Sequence, residues 1–226
     1  MEGLYSDPHT GRVYLLARSR GMEPAESLWT LDGQMGSWKE SQLLTGAMFH
    51  PVMFTLTEGP LRVFWDEVDW ERPTSAIAEL VGGKTHLVTP SDTWVNFRVP
   101  YSATQDAGSN VHFAAYARLD AHRDTLVHIY EQGGHWNQEV VQDFGSSPEL
   151  ASTGPCALFA SDGLLHVFYF EPARGEIRHG VRIGQQWRIA AVVRSRRLWL
   201  YVVSETRHLG PPEVVRFLPA GALVLA

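Results

Sequence analysis

The sequence predicts an all-β fold, a β-propeller of four-stranded antiparallel blades, on three observations. Short runs of β-branched and aromatic residues follow one another along the chain, each bounded by glycine, proline or Asp/Ser clusters. A strand–turn–strand unit recurs about every 50 residues, which is the size of one propeller blade. No window combines a 3.6-residue apolar period with helix caps at both ends.

The first predicted strand of each repeat is aromatic and β-branched. These strands cover residues 12–18, 61–66, 111–117 and 165–170. When the four copies are aligned on their glycine turns, one column of the alignment holds Tyr14, Arg62, His112 and His166. A polar or aromatic residue at a fixed position of a repeated strand indicates a site that is built once per repeat.

A second strand, a glycine turn and usually a tryptophan follow each first strand. The second strands cover 27–31, 76–81, 126–130 and 177–181, and the tryptophans are Trp38, Trp136 and Trp187. The second repeat keeps its turn at Gly82 and Gly83 but lacks the tryptophan. A further strand precedes the later repeats, beginning at Pro51, Pro100 and Pro155, so that each unit has four strands.

The 226 residues are predicted to form a single domain, 1–226, with five blades. The repeats cover about 3–46, 47–98, 99–150, 151–193 and 194–226, and the last is degenerate. A β-sandwich or barrel with similar hairpins is the alternative fold.

Charge and cysteine content exclude several classes of protein. The net charge of -6 argues against a nucleic-acid partner, because duplex binders usually carry a basic face. The single cysteine, Cys156, excludes an intrachain disulfide and lies in an apolar segment that reads as buried. Neither a targeting segment nor a long apolar run is visible, which predicts no membrane partner and a cytoplasmic protein, or one released without a signal peptide.

The repeat resembles the blade of the fungal and bacterial fucose-binding propeller lectins. The resemblance is carried by Leu61-Arg-Val-Phe, Ile77-Ala-Glu-Leu and the Gly-Gly turn, and by the corresponding segments of the fourth repeat, 165–170 and 176–187. It covers roughly residues 3–190 and marks a divergent member. It implies that a sugar lies between neighbouring blades, with Arg and Glu on its hydroxyls and an aromatic side chain on its apolar face.

Arg62, Glu79 and Trp136 are therefore the predicted ligand-binding residues, lining one groove between the second and third repeats. An Arg/Glu pair offers charge-assisted hydrogen bonds in fixed directions, and tryptophan offers a broad, rigid face. The expected partner is a glycan or another small molecule. The alternative is that Arg62 and Glu79 simply pair with each other across two strands.

The other repeats depart from this pattern. Tyr14 and Trp29 stand in the two columns of the first repeat. The third repeat has His112 and His128 there, and the fourth has His166 and His179. An imidazole cannot replace a guanidinium fork, so these repeats are predicted not to bind fucose. The four histidines are the candidates to test for acid–base catalysis, since imidazole titrates near neutral pH.

The sequence favours a non-catalytic binding protein and leaves two alternatives open. Lectin-like propellers of fungal secondary metabolism resemble catalysts of pericyclic steps such as hetero-Diels–Alder cycloaddition, which makes a cofactor-free pocket enzyme the main alternative. A protein-interaction propeller is the other. No cofactor and no metal are expected, because HExxH and Cys/His clusters are missing from the sequence. The acidic run 66–71 is predicted to be a solvated loop, and a homodimer is a further expectation.

Overall fold

The computed structural model describes sixteen segments of the chain, and every regular element within them is a β-strand. The described residues are 3–6, 13–20, 26–34, 37–45, 48–54, 62–69, 74–81, 83–89, 93–95, 101–119, 123–146, 156–171, 173–194, 201–203, 215–217 and 222–225. They group into two compact units, residues 1–91 and 92–226. The prediction of an all-β chain is confirmed for these residues.

The first unit contains two antiparallel sheets of four strands, each in the order of the sequence. Sheet A consists of β1 (Gly3–Ser6), β2 (Val13–Arg20), β3 (Glu26–Gln34) and β4 (Ser37–Thr45). Sheet B consists of β5 (Met48–Phe54), β6 (Arg62–Asp69), β7 (Thr74–Val81) and β8 (Lys84–Leu87). Except for residues 12 and 61, which lie outside the described residues, the first and second strands predicted for the first two repeats lie within these elements.

The second unit contains a five-stranded sheet, C, and a four-stranded sheet, D, before the strands at the end of the chain. Sheet C consists of β10 (Ser102–Gln105), β11 (Val111–Leu119), β12 (Arg123–Gln132) and β13 (His135–Gly145), and β9 (Thr93–Val95) pairs with β11. Sheet D consists of β14 (Ala157–Ser161), β15 (Leu164–Glu171), β16 (Glu176–Ile183) and β17 (Gln186–Arg194). Both sheets confirm the predicted order of strands in the third and fourth repeats.

The end of the chain differs from the other repeats. Its described strands are β18 (Tyr201–Val203), β19 (Val215–Phe217) and β20 (Ala222–Leu225). They form a sheet in the order β18-β20-β19, in which β18 and β20 run parallel. Among the described residues, this segment is therefore a short mixed sheet and not a four-stranded antiparallel one.

The strand registers correct one assignment in the first repeat. In sheet C, His128 pairs with Ala114, which lies two residues after His112. The residue that lies two positions after Tyr14 is Leu16, and it pairs with Thr30. Thr30 therefore occupies the second column, and the prediction of Trp29 is wrong by one residue. Because strand side chains alternate between faces, one residue of offset exchanges the two faces.

Hairpin length explains why the second repeat has no tryptophan. In sheet C the β12–β13 hairpin continues to the pair Gln132–His135 and turns at Gly133 and Gly134, both with positive φ. The β7–β8 hairpin already ends at the pair Val81–Lys84. The register position of Trp136 therefore lies beyond the end of this shorter hairpin.

Sheets C and D pack face to face through an apolar core. The buried residues of this core are Ala114, Tyr116, Leu126, Val141, Cys156, Leu158, Val167 and Tyr169. Cys156 is buried as predicted, directly before β14, and burial raises the pKa of its thiol to about 12. Such a thiol stays protonated and is unsuited to nucleophilic catalysis.

Candidate functional site

Arg62 and Glu79 form a hydrogen-bonded ion pair on one face of sheet B. Glu79 pairs in register with Phe64, two residues after Arg62, so the two side chains meet across a diagonal. Arg62 Nε donates to Glu79 Oε1. Both residues are buried, with 8% and 3% of their surface exposed, and the guanidinium lies 5.2 Å from the centre of the Phe64 ring. The two predicted residues are therefore brought together.

Trp136 belongs to the second unit. It lies on β13, half-buried, with its ring centre 5.8 Å from that of Phe113. Trp136 in sheet C and Trp187 in sheet D occupy equivalent register positions, opposite Glu131 and Arg182. The groove shared by Arg62, Glu79 and Trp136 stays a prediction.

The same diagonal holds His112 and His128 together in sheet C. His112 Nδ1 and His128 Nε2 are 3.0 Å apart, and the two rings stack at 5.2 Å with 13° between their planes. His128 is fully buried and His112 is 5% exposed. On the outer side of the pair, Asp106 Oδ2 lies 3.2 Å from His112 Nε2.

Glu139 connects this histidine pair to sheet D. Its Oε1 accepts hydrogen bonds from His128 Nδ1 at 2.9 Å, from Arg182 Nε at 2.7 Å and from Trp187 Nε1 at 2.8 Å. The Trp187 ring meets the His128 ring edge-on at 5.4 Å, and the Arg182 guanidinium lies 5.0 Å from the Tyr130 ring centre. Glu139, Arg182 and Trp187 therefore occupy the space beside the histidine pair.

The protonation states follow from these contacts. Burial is the largest influence on both imidazoles and lowers the pKa of His112 and of His128. Burial alone would raise the pKa of Glu139, but the hydrogen bonds from His128, Arg182 and Trp187 outweigh it and lower this pKa to about 2. Ionised Glu139 accepts a hydrogen bond from Nδ1–H of His128, so His128 Nε2 carries no proton and accepts a hydrogen bond from His112 Nδ1. Because its pKa is lowered, His128 is neutral near pH 7.

His166 and His179 repeat this geometry in sheet D with different neighbours. His166 Nδ1 and His179 Nε2 are 3.0 Å apart, and the rings stack at 5.2 Å with 8° between their planes. Phe159 stacks on His166 at 5.2 Å and Phe168 on His179 at 4.4 Å. Burial lowers the pKa of His179. This second pair lies in an aromatic stack.

A polar pair that the sequence analysis missed lies on β5 and β6. His50 Nδ1 is 2.8 Å from Asp66 Oδ2, and Asp66 is completely buried. The prediction of a solvated loop at 66–71 is wrong for Asp66–Asp69, which belong to β6; residues 70 and 71 lie outside the described residues. The acidic residues hid the strand because their charge suggested exposure, and His50 is separated from Asp66 in sequence and carries no motif.

Two features are absent from the described part of the chain. No helix in it is long and apolar enough to cross a membrane. Within the same residues, no three or more His, Cys, Asp or Glu side chains come together as a group that could hold a metal ion.

Comparisons with known proteins identify the fold. No protein-family model and no curated protein sequence matches this chain. An α-L-arabinanase of Penicillium chrysogenum, solved with arabinobiose, matches 81% of the chain with a TM-score of 0.55 and 10% sequence identity, and the chain spans 62% of its length. A fucose lectin of Kordia zhangzhouensis, solved with methyl-fucoside, matches this chain with a TM-score of 0.43 and 10% sequence identity. The match covers 63% of this chain and 98% of the lectin chain.

The likeness to the arabinanase shows the fold and no more. Together with the antiparallel four-stranded sheets, it confirms the predicted all-β propeller architecture. The number of blades stays a prediction.

Proposed function

We propose that this chain is a carbohydrate-binding propeller of lectin-like type, with its sugar site built on Arg62 and Glu79. The observation that carries the proposal is the charged pair itself. It occupies the register position at which sheets C and D each hold two stacked imidazoles. The solved structure of an arabinanase with arabinobiose supports the proposal, because it has the same fold and a sugar ligand.

The chemistry of the pair suits a sugar. The guanidinium has five N–H donors in a fixed fork, and the carboxylate of Glu79 has four acceptor positions. The bond between the two groups joins Nε of Arg62 and Oε1 of Glu79. Vicinal hydroxyls of a sugar can both donate and accept, and charge-assisted hydrogen bonds are about twice as strong as neutral ones. Arg62 and Glu79 thus supply both the donors and the acceptors that a sugar needs.

The histidine pairs support a single site of this kind. His112 and His128 have Glu139, Arg182 and Trp187 as neighbours, and these side chains satisfy one another. We therefore assign this pair a structural role, where the sequence alone made it a candidate for catalysis. The pair in sheet D has no charged group of its own to replace the guanidinium fork.

Fucose is the sugar that the resemblance to propeller lectins implies, and we propose Trp136 as the aromatic wall on the basis of the repeat. In sheet D the equivalent tryptophan, Trp187, lies against the histidine of the neighbouring sheet. An indole face against the C–H groups of a pyranose contributes about 0.5–1.5 kcal/mol beyond its buried area.

A glycan array, followed by calorimetry on the sugar it identifies, tests the proposal. We expect binding that competes with free fucose. Arg62→Ala and Glu79→Ala should each weaken the affinity by roughly 1–3 kcal/mol, because each leaves a hydrogen-bonding group unpaired. Exposed Thr85→Ala, on the other face of the neighbouring strand β8, is the matched control and should bind normally. Full binding by the Arg62→Ala/Glu79→Ala double variant, or an array without any signal, would refute the proposed site.

A further inference from the structure

The last strand of sheet B, β8, is short and open to solvent on both faces. All four of its residues, Lys84–Leu87, are exposed. In the β7–β8 ladder, His86 stands opposite Glu79 and Lys84 stands opposite Val81. Because strand side chains alternate between faces, Lys84 and His86 lie on the sheet face that carries Glu79. Two basic side chains therefore lie beside the charged pair of sheet B.

The same register in sheet C shows how close such neighbours come. His128 on β12 stands opposite Glu139 on β13, and their Nδ1 and Oε1 atoms are 2.9 Å apart. Sheet B holds the same two residue types in exchanged places, with Glu79 on β7 and His86 on β8. Residues directly opposite each other in antiparallel strands have Cβ atoms about 4.5–5.5 Å apart. A ligand that Glu79 holds is therefore within reach of His86.

Neither basic side chain is engaged within the protein. Lys84 and His86 have no hydrogen bond, ion pair or ring contact in the part of the chain that the structure describes. Glu79 is neutralised by Arg62, so this pair has no net charge. Asp66, an acid farther along the same face, has a hydrogen-bond partner of its own. Lys84 thus adds a positive charge beside the pair that no ion pair among the described residues compensates.

We propose that the sugar bound at Arg62 and Glu79 carries an anionic substituent, a carboxylate or a sulfate ester, which Lys84 and His86 bind. This class of sugar rests on the proposed carbohydrate site. Lysine offers a compact charge with three donors on a flexible stem, which follows an anionic group at the edge of a ligand. An imidazole donates an N–H to the same group whether it is neutral or protonated.

Calorimetry with matched pairs of sugars on the intact chain tests the proposal. Methyl-fucoside is compared with its sulfate monoesters, and methyl glucoside with methyl glucuronide, which separates a sulfate from a carboxylate. We expect the best anionic sugar to bind about fivefold more tightly than its neutral counterpart at low salt, the upper end of what an exposed ion pair contributes. At about 1 M salt this advantage should disappear, since exposed charges are then screened.

The two lysines of the chain, Lys39 and Lys84, provide the variant and its control. Lys84→Gln should reduce the ratio of anionic to neutral affinity to about one. His86→Ala should reduce this ratio less, because a neutral imidazole contributes a hydrogen bond without a charge. Lys39→Gln removes the same charge from β4 of sheet A and should leave the ratio unchanged. Both lysines are exposed, so neither change should affect folding.

Two results overturn the proposal and leave the sugar site itself in place. Either the anionic sugars bind no more tightly than the neutral ones, or Lys84→Gln keeps the ratio of the wild type. In both cases the neutral sugar still binds, and its binding is lost in Arg62→Ala/Glu79→Ala. A chain that binds none of these sugars rejects both the sugar site and its preference for an anion.

Discussion

The two histidine pairs of the second unit have the same internal geometry and opposite surroundings. In both, Nδ1 of the first ring and Nε2 of the second are 3.0 Å apart. Opposite His128 stands Glu139, which collects hydrogen bonds from sheet D, whereas opposite His179 stands Ala190. The first pair is part of a polar network that joins two sheets. The second is an aromatic layer between Phe159 and Phe168.

This difference shows that the repeat fixes where the two side chains meet, whereas the residue on the third strand determines which groups surround them. The diagonal between the first and second long strands places two side chains in contact in sheets B, C and D. On the third strand, the residue opposite the second of these side chains is His86 in sheet B, Glu139 in sheet C and Ala190 in sheet D. In sheet C the carboxylate at this position accepts hydrogen bonds from Arg182 and Trp187 of the next sheet, and these side chains occupy the space beside the histidine pair.

Removing Glu139 should have the largest effect on this comparison. Glu139→Ala leaves His128, Arg182 and Trp187 without their shared acceptor. We expect a loss of about 3 kcal/mol in the free energy of unfolding, because three donors lose their shared, half-buried acceptor and each unsatisfied donor costs about 1–3 kcal/mol. Urea unfolding followed by tryptophan fluorescence measures it. Val140→Ala, at an exposed position of the same strand, is the control, and equal stability of the two variants would contradict the role of Glu139.

A smaller loss of stability should follow from adding a side chain at Gly180, against which Trp187 packs. A Cβ atom on Gly180 would lie 3.0 Å from Val167 Cγ1 and 3.2 Å from Trp187 Cε3. Gly180→Ala should therefore cost about 1–3 kcal/mol of stability through overpacking, and the fluorescence of the protein should change. Exposed Val192→Ala on the neighbouring strand serves as its control. An unchanged midpoint of unfolding for Gly180→Ala would show that Trp187 does not pack tightly against Gly180.

The pH dependence of stability distinguishes the neutral imidazoles from charged ones. Burial lowers the pKa of His112, His128 and His179 from 6.5. The unfolded chain then binds more protons, so stability is full above pH 6.5 and falls as the pH decreases through the folded-state pKa values. Thermal unfolding between pH 8 and pH 5 measures the slope. A melting temperature that rises toward pH 5 would contradict neutral histidines.

Asp66 contributes to the pH dependence of stability in the opposite direction from these histidines. Burial is the largest influence and raises its pKa from 3.8 to about 6, against the bond from His50. Its contribution to stability is therefore full below pH 3.8 and lost as the pH rises through about 6. Asp66→Asn should remove this part of the profile and make the remaining fall toward acid steeper. An identical profile in the variant would place the titration elsewhere.

The smallest effect is expected from giving the second pair the surroundings of the first. Ala190→Glu places a carboxylate opposite His179 on the exposed side of β17. The protonated imidazole then gains a cross-strand partner of opposite charge, worth about 0.5 kcal/mol. Stability should increase at pH 5 and stay constant at pH 8, whereas Ala190→Gln should do neither. A decrease at pH 5 would show that the aromatic stack excludes a charge.

Much of the fold was predictable because aromatic strands and glycine turns are local signals. The strands of four repeats and the burial of Cys156 follow from local pattern and spacing, and the meeting of Arg62 with Glu79 follows from the resemblance to the lectin blade. Trp29 was misplaced because the face of a strand depends on the exact register, which an alignment of repeats does not give. Glu139 and His50 could not be predicted, since their roles depend on contacts across strands and sheets and on a bulge that no motif announces.

Isothermal titration with methyl-fucoside, or with the sugar found on the array, tests the central claim that one charged pair makes the binding site. We predict one site per chain. Binding at that site should be lost in Arg62→Ala/Glu79→Ala and kept in His166→Gln, which changes the equivalent position of sheet D. Three equivalent sites per chain, or a double variant that binds like the wild type, would contradict the account, because the histidine pairs would then bind sugar as well as the charged pair does.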